Sequence, residues 1–345
     1  MTIESNTTKN QKRTKIHAAL AGALGQIEKQ YGKGSTSSAL IDNVRPCSTG
    51  SVGLDVSTGY GGFPRGHISE VFSPPGVGKT TLVLTSIAEA QRRGELCLFI
   101  DAEHALDPMY ASKVGVNIDE LYVVQPDSGE QVLYTILQMV QESLFGIIVV
   151  DSAAALDPEA DKSVMMGDND TRAQSLMFGK WLKNIIAPLK ETETAVVFTN
   201  QIRNKLSPNG TPVIGNSEVT PGGNALKHYV SLRVDLRLTE YYRSIDSDYI
   251  GQRILAKVVK NKLGPTCEHC ELDIMTGTGV DRAREWVDFG LLHHLISINR
   301  KEWWFEDVCL GHSVKDAVAS LRSNVQVRKD LRQQLIPKLY PNRKF

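Results

Sequence analysis

The sequence predicts an α/β protein with a mostly parallel central sheet, and three observations carry that prediction. The stretch 69–81, Ser-Glu-Val-Phe-Ser-Pro-Pro-Gly-Val-Gly-Lys-Thr-Thr, overlaps a short apolar run at 68–72 and leads into helix formers at 82–92. Apolar runs at 96–100, 122–125, 147–150 and 195–199 then alternate with helical patterns at 130–144 and 171–189, the order of a doubly wound sheet. Residues 231–238 alternate with period two, and runs at 254–259 and 271–275 extend that sheet on one side.

Chemistry enters with the first of these. Backbone amides that open a helix wrap a polyphosphate only where no side chain blocks the approach, so Gly76 and Gly78 stand at the contact points. The loop comprises Ser73, Pro74, Pro75, Gly76, Val77, Gly78, Lys79, Thr80 and Thr81. In the G-x-x-x-x-G-K-[ST] pattern, Lys79 reaches the β and γ phosphates and the Thr80 hydroxyl ligates Mg2+. Ser73 stands where the first glycine is expected, and Pro74 and Pro75 stiffen the chain just beyond it. Asp151, at the tip of a buried apolar run, is the natural partner of that Mg2+. Asp101-Ala102-Glu103-His104 puts further acidic groups at the end of a strand, where doubly wound sheets bind ligands.

With 345 residues, 41% hydrophobic and 23% charged, the chain has room for one large domain and a smaller one. Its 39 basic and 39 acidic residues cancel, so any nucleic-acid surface must come from local clustering. Five scattered cysteines and a polar start without an apolar signal core point to the cytoplasm. No run approaches the ~18 apolar residues of a membrane span.

Ahead of the core, Ile16, Ala19, Leu20, Ala23, Leu24, Ile27 and Tyr31 recur at helical spacing, giving an amphipathic helix for its own domain or a neighbouring subunit. Residues 48–66 read as a loop-laden entry. The polar stretches 158–170 and 204–221 read as exposed loops, the second long enough to be a candidate for moving with nucleotide. Beyond about residue 281, short helices and the aromatic patch Trp303-Trp304-Phe305 suggest a small C-terminal domain. Its end gathers Arg322, Arg328, Lys329, Arg332, Lys338, Arg343 and Lys344 against Asp330, either a solvated helix face or a DNA-gathering surface. Cys267-Glu268-His269-Cys270 hints at zinc, yet only the distant Cys309, His312, His293 or His294 offers the remaining ligands.

Five segments are more specific than a phosphate loop: Ala-Leu-Gly-Gln-Ile-Glu-Lys-Gln-Tyr-Gly-Lys-Gly-Ser at 23–35, Phe-Ile-Asp-Ala-Glu-His-Ala-Leu-Asp-Pro at 99–108, Asn-Gln-Ile-Arg at 200–203, Gly-Gly-Asn-Ala-Leu-Lys at 222–227 and Val-Val-Lys-Asn-Lys at 258–262. Through them the chain resembles the bacterial RecA recombinase family over about residues 15–305. The resemblance implies a RecA-type phosphate-loop ATPase core (48–280) behind an N-terminal docking helix and linker (1–47), with a small C-terminal α/β domain and basic tail (281–345). It implies ATP and Mg2+ as cofactors, and a helical homo-oligomeric filament on single-stranded DNA that exchanges strands with homologous duplex DNA. Glu103 matches the catalytic glutamate that activates water, Asp107 and Tyr110 the residues flanking adenine, and Gln201 the sensor of the γ phosphate. Lys260 and Lys262 match lysines that reach a neighbour's ATP. The two DNA loops fall at 159–169 and 204–221, with Met165, Gly167, Arg172, Arg203, Ile214, Gly222, Gly223 and Asn224 as DNA-binding positions.

Three departures mark this chain. The second loop is long and contains Pro208, Pro212 and Pro221; His228 stands where a subunit-coupling phenylalanine is familiar; and a basic segment replaces an acidic tail. Two other functions compete. A translocase or helicase motor on the same core is disfavoured by the docking helix, and a DNA-coating scaffold that does not hydrolyse ATP is disfavoured by the retention of Glu103.

Overall fold

A computed structural model describes residues 45–158, 170–204, 218–244, 248–266 and 268–340, together with Gly22, Gln26, Lys29 and Gln30, which are helical and exposed. The apolar positions of the expected N-terminal helix lie outside the described residues. The chain divides into two compact units, Met1–Val44 and Arg45–Phe345, and all elements below belong to the second.

Its centre is a nine-stranded sheet. Five parallel strands, β3 (His67–Ser73), β4 (Leu96–Asp101), β5 (Leu121–Val124), β6 (Phe145–Asp151) and β7 (Ala195–Gln201), lie in the order β3-β7-β6-β4-β5. A strand covered on both faces must be apolar throughout, and every residue of β6 is buried. Alternate side chains feed opposite layers: Val149 joins Leu82, Leu84 and Ile87 of α2 (Lys79–Gln91), while Val150 joins Val132, Leu133 and Ile136 of α4 (Gly129–Glu142) and Leu182 and Ile185 of α5 (Asp170–Lys190). Each such aliphatic side chain contributes about 1.5–3 kcal/mol by leaving water.

Beyond β3 the sheet continues through β10 (Leu232–Arg243), parallel to it, then antiparallel through β11 (Tyr249–Asn261), β12 (His269–Met275) and β13 (Gly279–Val280). This is the one-sided extension the alternating pattern predicts. Register aligns the functional ends: Ser73 is opposite Gln201, and Asp101 is opposite Asp151. The carboxyl edge of the parallel strands therefore gathers residues far apart in sequence.

Three local readings change. The entry segment is more ordered than a loop, with β1 (Pro46–Cys47) pairing β2 (Phe63–Pro64) and a short helix α1 (Val52–Ser57) between them. Six residues are too few to display a helical period, and the order comes from Asp55, which accepts from Ser48 Oγ at 2.5 Å and from Thr49 N and Oγ1 at 2.7 Å. The second long loop has a paired base, since β8 (Arg203–Asn204) lies antiparallel to β9 (Glu218–Val219). The aromatic patch is one strand, β15 (Glu302–Phe305), whose alternation buries Trp303 and Phe305.

That strand is the middle of an antiparallel sheet with β14 (Ile296–Asn299) and β16 (Val308–Gly311). Helices α7 (Arg282–Leu292), α8 (Val314–Ser323) and α9 (Val325–Leu339) share its apolar cluster, where Trp286, Val287, Leu321, Leu331 and Leu335 meet Val52 of α1. A truncation after Leu321 therefore removes core residues along with basic ones.

Candidate active site

β3 ends at Ser73, and the chain turns through Pro74 and Pro75 into two left-handed glycines, Gly76 (φ 74°) and Gly78 (φ 103°), before α2 begins at Lys79. The left-handed conformation favours glycine at 78, and a Cβ there would sit 2.5 Å from Ile274 Cδ1, so that side-chain end would have to shift. Ser73 needs no such freedom. As the last strand residue it is extended, its Oγ donates to the Pro74 carbonyl at 2.6 Å, and its carbonyl accepts from Ile202 N at 3.1 Å.

Lys79 folds back over the loop, its Nζ donating to Ser73 Oγ at 3.0 Å and to the Pro74 carbonyl at 3.1 Å. Burial holds its ammonium below the ordinary lysine range, against the pull of Asp151 and Glu103. The next residue is tied to the aspartate at the tip of β6: Thr80 Oγ1 donates to Asp151 Oδ2 at 2.7 Å, and Thr199 Oγ1 donates to Oδ1. Burial pushes the Asp151 carboxyl up, while these hydroxyls and Lys79 favour its ionised form. A hydroxyl beside a carboxylate is a hard-oxygen donor set that suits Mg2+, and the glycine cradle suits a phosphate.

Glu103 stands exposed above this pair, just past the end of β4. Its Oε1 accepts from Ser152 Oγ and, at 3.3 Å, from Gln201 Nε2, so the two positions singled out in sequence as catalytic base and phosphate sensor touch. Asp101 fixes the loop that carries it: the carboxylate accepts from Ala105 N and Leu106 N at 3.1 Å and from Gln125 Nε2 at 3.0 Å. Asp107 caps α3 (Pro108–Val114), accepting from Met109 N at 2.8 Å and Tyr110 N at 3.2 Å, and the Tyr110 hydroxyl meets Thr81 Oγ1 at 2.5 Å. Thus Asp107 and Tyr110 lie on the helix that touches the start of α2.

Sequence reading missed Ser152 and Gln174. Ser152 comes directly after Asp151 at the strand tip, and that adjacency was the available signal. No pattern pointed to Gln174, a buried side chain of α5 that links both loop regions. Its Nε2 donates to the carbonyls of Ala153 (3.2 Å) and Leu156 (3.1 Å), and its Oε1 accepts from Gly222 N at 2.7 Å. Gly222 then opens α6 (Gly223–Tyr229) in a left-handed conformation, with Gly223 so close to α5 that a Cβ would lie 2.7 Å from Ser175 Oγ.

The remaining expected residues divide. Arg172, Arg203 and Asn224 are exposed near these loops; Met165, Gly167 and Ile214 lie outside the described residues. Lys260 and Lys262 are not at the phosphate loop of their own chain. Both ammonium groups sit at the carboxyl end of α6, Lys260 donating to the carbonyls of Lys227 and His228 and Lys262 to that of His228 at 3.0 Å. Burial, Lys262 and Arg233 hold Lys260 below the usual lysine pKa. Of the cysteine motif, Cys267 is outside the described residues and Cys270 is half-buried, its thiol pushed up by burial. Among the described residues, no three His, Cys, Asp or Glu side chains gather as a metal would require.

Residues 18–281 match the family model described as the RecA N-terminal domain. The curated sequences named Protein RecA from two strains of Cereibacter sphaeroides are each 40% identical over 321 residues, spanning 92% of this chain and 92% and 88% of theirs. A family model covering most of the chain, and relatives of this identity matched along nearly their whole length, agree with the loop and the carboxylates found at the sheet edge: the chain belongs to the RecA family.

Proposed function

We propose that this RecA-family protein, a nucleotide- and DNA-binding protein of homologous recombination and repair, is a DNA-dependent ATPase that forms a helical filament on single-stranded DNA and exchanges strands with homologous duplex. The observation that carries the reading is the contact of Gln201 with Glu103 at the mouth of the phosphate loop, with Gln201 two residues ahead of the paired base of the second loop. A group that senses phosphate and a group that activates water share one hydrogen bond, so a change at either reaches the other.

In this reading Ser73 to Thr81 cradle the nucleotide, Thr80 and Asp151 hold Mg2+, and Asp107 and Tyr110 flank the base. A bound Mg2+-ATP supplies the γ-phosphoryl group as the electrophile. Glu103 accepts the proton of the attacking water, and Ser152 and Gln201 hold its carboxylate in place. Lys260 and Lys262 serve the phosphates of an adjacent protomer, which makes each site a product of assembly. Arg172, Arg203, Gly222, Gly223 and Asn224, with Met165, Gly167 and Ile214, form the DNA-facing set.

Residues 1–47 act as the polymerisation helix and linker, 48–280 as the core and 281–345 as a small C-terminal domain with a basic tail. A cytoplasmic setting accords with described helices of which none is long and apolar enough to cross a membrane. The test is the ATPase rate with and without single-stranded DNA, read beside negative-stain images. Stimulated hydrolysis and filaments are expected; a DNA-independent rate with only discrete particles overturns the reading.

A further inference from the structure

Away from the phosphate loop, a groove of about 860 Å³ separates the end of α2 from the C-terminal helices. Arg92 and Arg93 enter it from α2, Arg282 from α7, and Arg328, Lys329 and Arg332 from α9. Two carboxylates line it with them, and both are engaged: Glu89 accepts from Arg92 and from Arg282, and Asp281 accepts from Arg322 at 2.6 Å. Among the described residues no carboxylate lies within ion-pair distance of Arg93, Arg328, Lys329 or Arg332. Arg282 leaves its Nε buried with no hydrogen-bond acceptor. Burial and neighbouring arginines hold Arg92 and Arg332 below the ordinary guanidinium range.

A second cavity of about 330 Å³ adjoins this groove and shares Arg93, Arg282, Trp286 and Arg332 with it. Val52, Ile336 and Leu339 beside Trp286 give it an apolar side, and it also holds Ser48 and the carboxylate of Asp55, which already accepts from Ser48 and Thr49 and attracts Arg282 and Arg332. Across the two cavities Arg92, Arg93, Arg282, Arg322, Arg328, Lys329 and Arg332 outnumber Glu89, Asp281 and Asp55; cations in such excess repel one another, and an anion from outside relieves that repulsion. Guanidinium forks suit phosphate oxygens, and the apolar wall suits a ring attached to them. The size lies within the usual range of small-molecule sites.

We propose that this composite groove is a second ligand site, distinct from the phosphate loop, for a compact oligophosphate carrying a ring: the chemistry of a nucleoside polyphosphate. The phosphates lie among Arg93, Arg282 and Arg332, and the ring lies along Trp286. Because α2 runs from the phosphate loop at Lys79 to this groove at Arg92, an occupant bears on both ends of one helix.

The probes are ATP, inorganic tripolyphosphate and a 12-base-pair duplex, titrated by calorimetry into the intact protein and into Lys79→Ala, Arg93→Ala/Arg332→Ala and the triple variant. Two ATP per chain are expected for the parent, one for Lys79→Ala, one for the arginine variant and none for the triple variant. Tripolyphosphate should bind Lys79→Ala with at least tenfold loss on adding the arginine substitutions, and should raise the melting temperature of Lys79→Ala but not of the triple variant. The melts also show whether each variant is folded, and removing like charges is expected to leave stability at low salt unchanged or higher. Saturation of the parent at one ATP, with no change from the arginine substitutions, overturns the second site while leaving the phosphate-loop reading intact. Two ATP retained by Lys79→Ala instead counts against the phosphate-loop assignment. Binding of the duplex through these arginines, with neither ATP nor tripolyphosphate bound, assigns the groove to nucleic-acid phosphates and overturns the proposal.

Discussion

Ser73 shows at the scale of one residue how a phosphate loop does without its first glycine. The position is extended and paired with Gln201, whereas Gly78 is left-handed and a Cβ there would push against the end of Ile274. Ser73→Gly should leave ATP affinity nearly unchanged, while Gly78→Ala should weaken it by about tenfold or more, since a left-handed alanine alone costs about 1–2 kcal/mol. Equal effects in an equilibrium titration would refute that division. Glu103→Gln should keep nucleotide binding and lower turnover by about 10²–10⁴-fold, the usual worth of a general base. Ser152→Ala, which loses only a donor to that carboxylate, should lower kcat by about tenfold with KM unchanged; a loss confined to KM removes its positioning role. The loop and Asp151 could be picked out from residue types at fixed spacing, whereas Glu103 was given its proposed role only through the family resemblance. Ser152 and Asp101 were not assigned their roles, because each acts by holding another group and a serine or aspartate at a strand tip has many uses.

Among the elements, α5 and α1 depend on single buried polar side chains. Gln174→Leu leaves the Gly222 N–H and two carbonyls without their partner, and one such buried group costs about 1–3 kcal/mol. A lowered melting temperature is expected, together with reduced stimulation of the ATPase by single-stranded DNA and a retained basal rate. Undiminished stimulation in a destabilised protein shows that Gln174 only supports the fold. Glu285, on α7, accepts from Ser51 Oγ at 2.5 Å and Val52 N at 2.8 Å at the start of α1. Burial nevertheless raises its carboxyl to about 7, against those bonds and the charge of Arg282, and raises Asp55 to about 6. Folded carboxyls that hold protons more tightly than unfolded ones contribute stability that is full below the unfolded pKa of about 4.5 and lost as pH rises through 7. For Glu285 the most this amounts to is about 3 kcal/mol. Melting temperature should therefore fall between pH 5 and pH 8, and Glu285→Gln should flatten that fall; an unchanged slope assigns it to other groups. The long buried strands were readable as apolar runs, and the extension β10 to β12 as a change of period. Two-residue strands such as β8 and β9, and the six-residue α1, hold too few residues to show either period, so only tertiary pairing reveals them.

In the whole molecule, the register that brings Ser73 to Gln201 and Asp101 to Asp151 is what makes one site from four strand ends. The lysine pair lies at the end of β11 and just beyond it and belongs to none of them, so a mixture of Lys79→Ala with Lys260→Ala/Lys262→Ala should regain hydrolysis that neither variant has alone. No recovery at any ratio, with co-assembly demonstrated, argues for a site complete within one chain. Sequence spacing could point to these lysines only through likeness to relatives, because nothing local tells which molecule a surface cation serves. Their present contacts add something that likeness did not contain. Each chain keeps both ammonium groups on the last carbonyls of its own α6, where a helix end carries partial negative charge. In the shared site proposed above, an incoming protomer would have to draw them off before using them, and without a strongly anionic attractor the exchange would gain little. On that proposal, growth of the polymer should begin with a slow seeding phase that shortens when nucleotide is present, and the capped helix would act as a latch against spontaneous aggregation of idle protein.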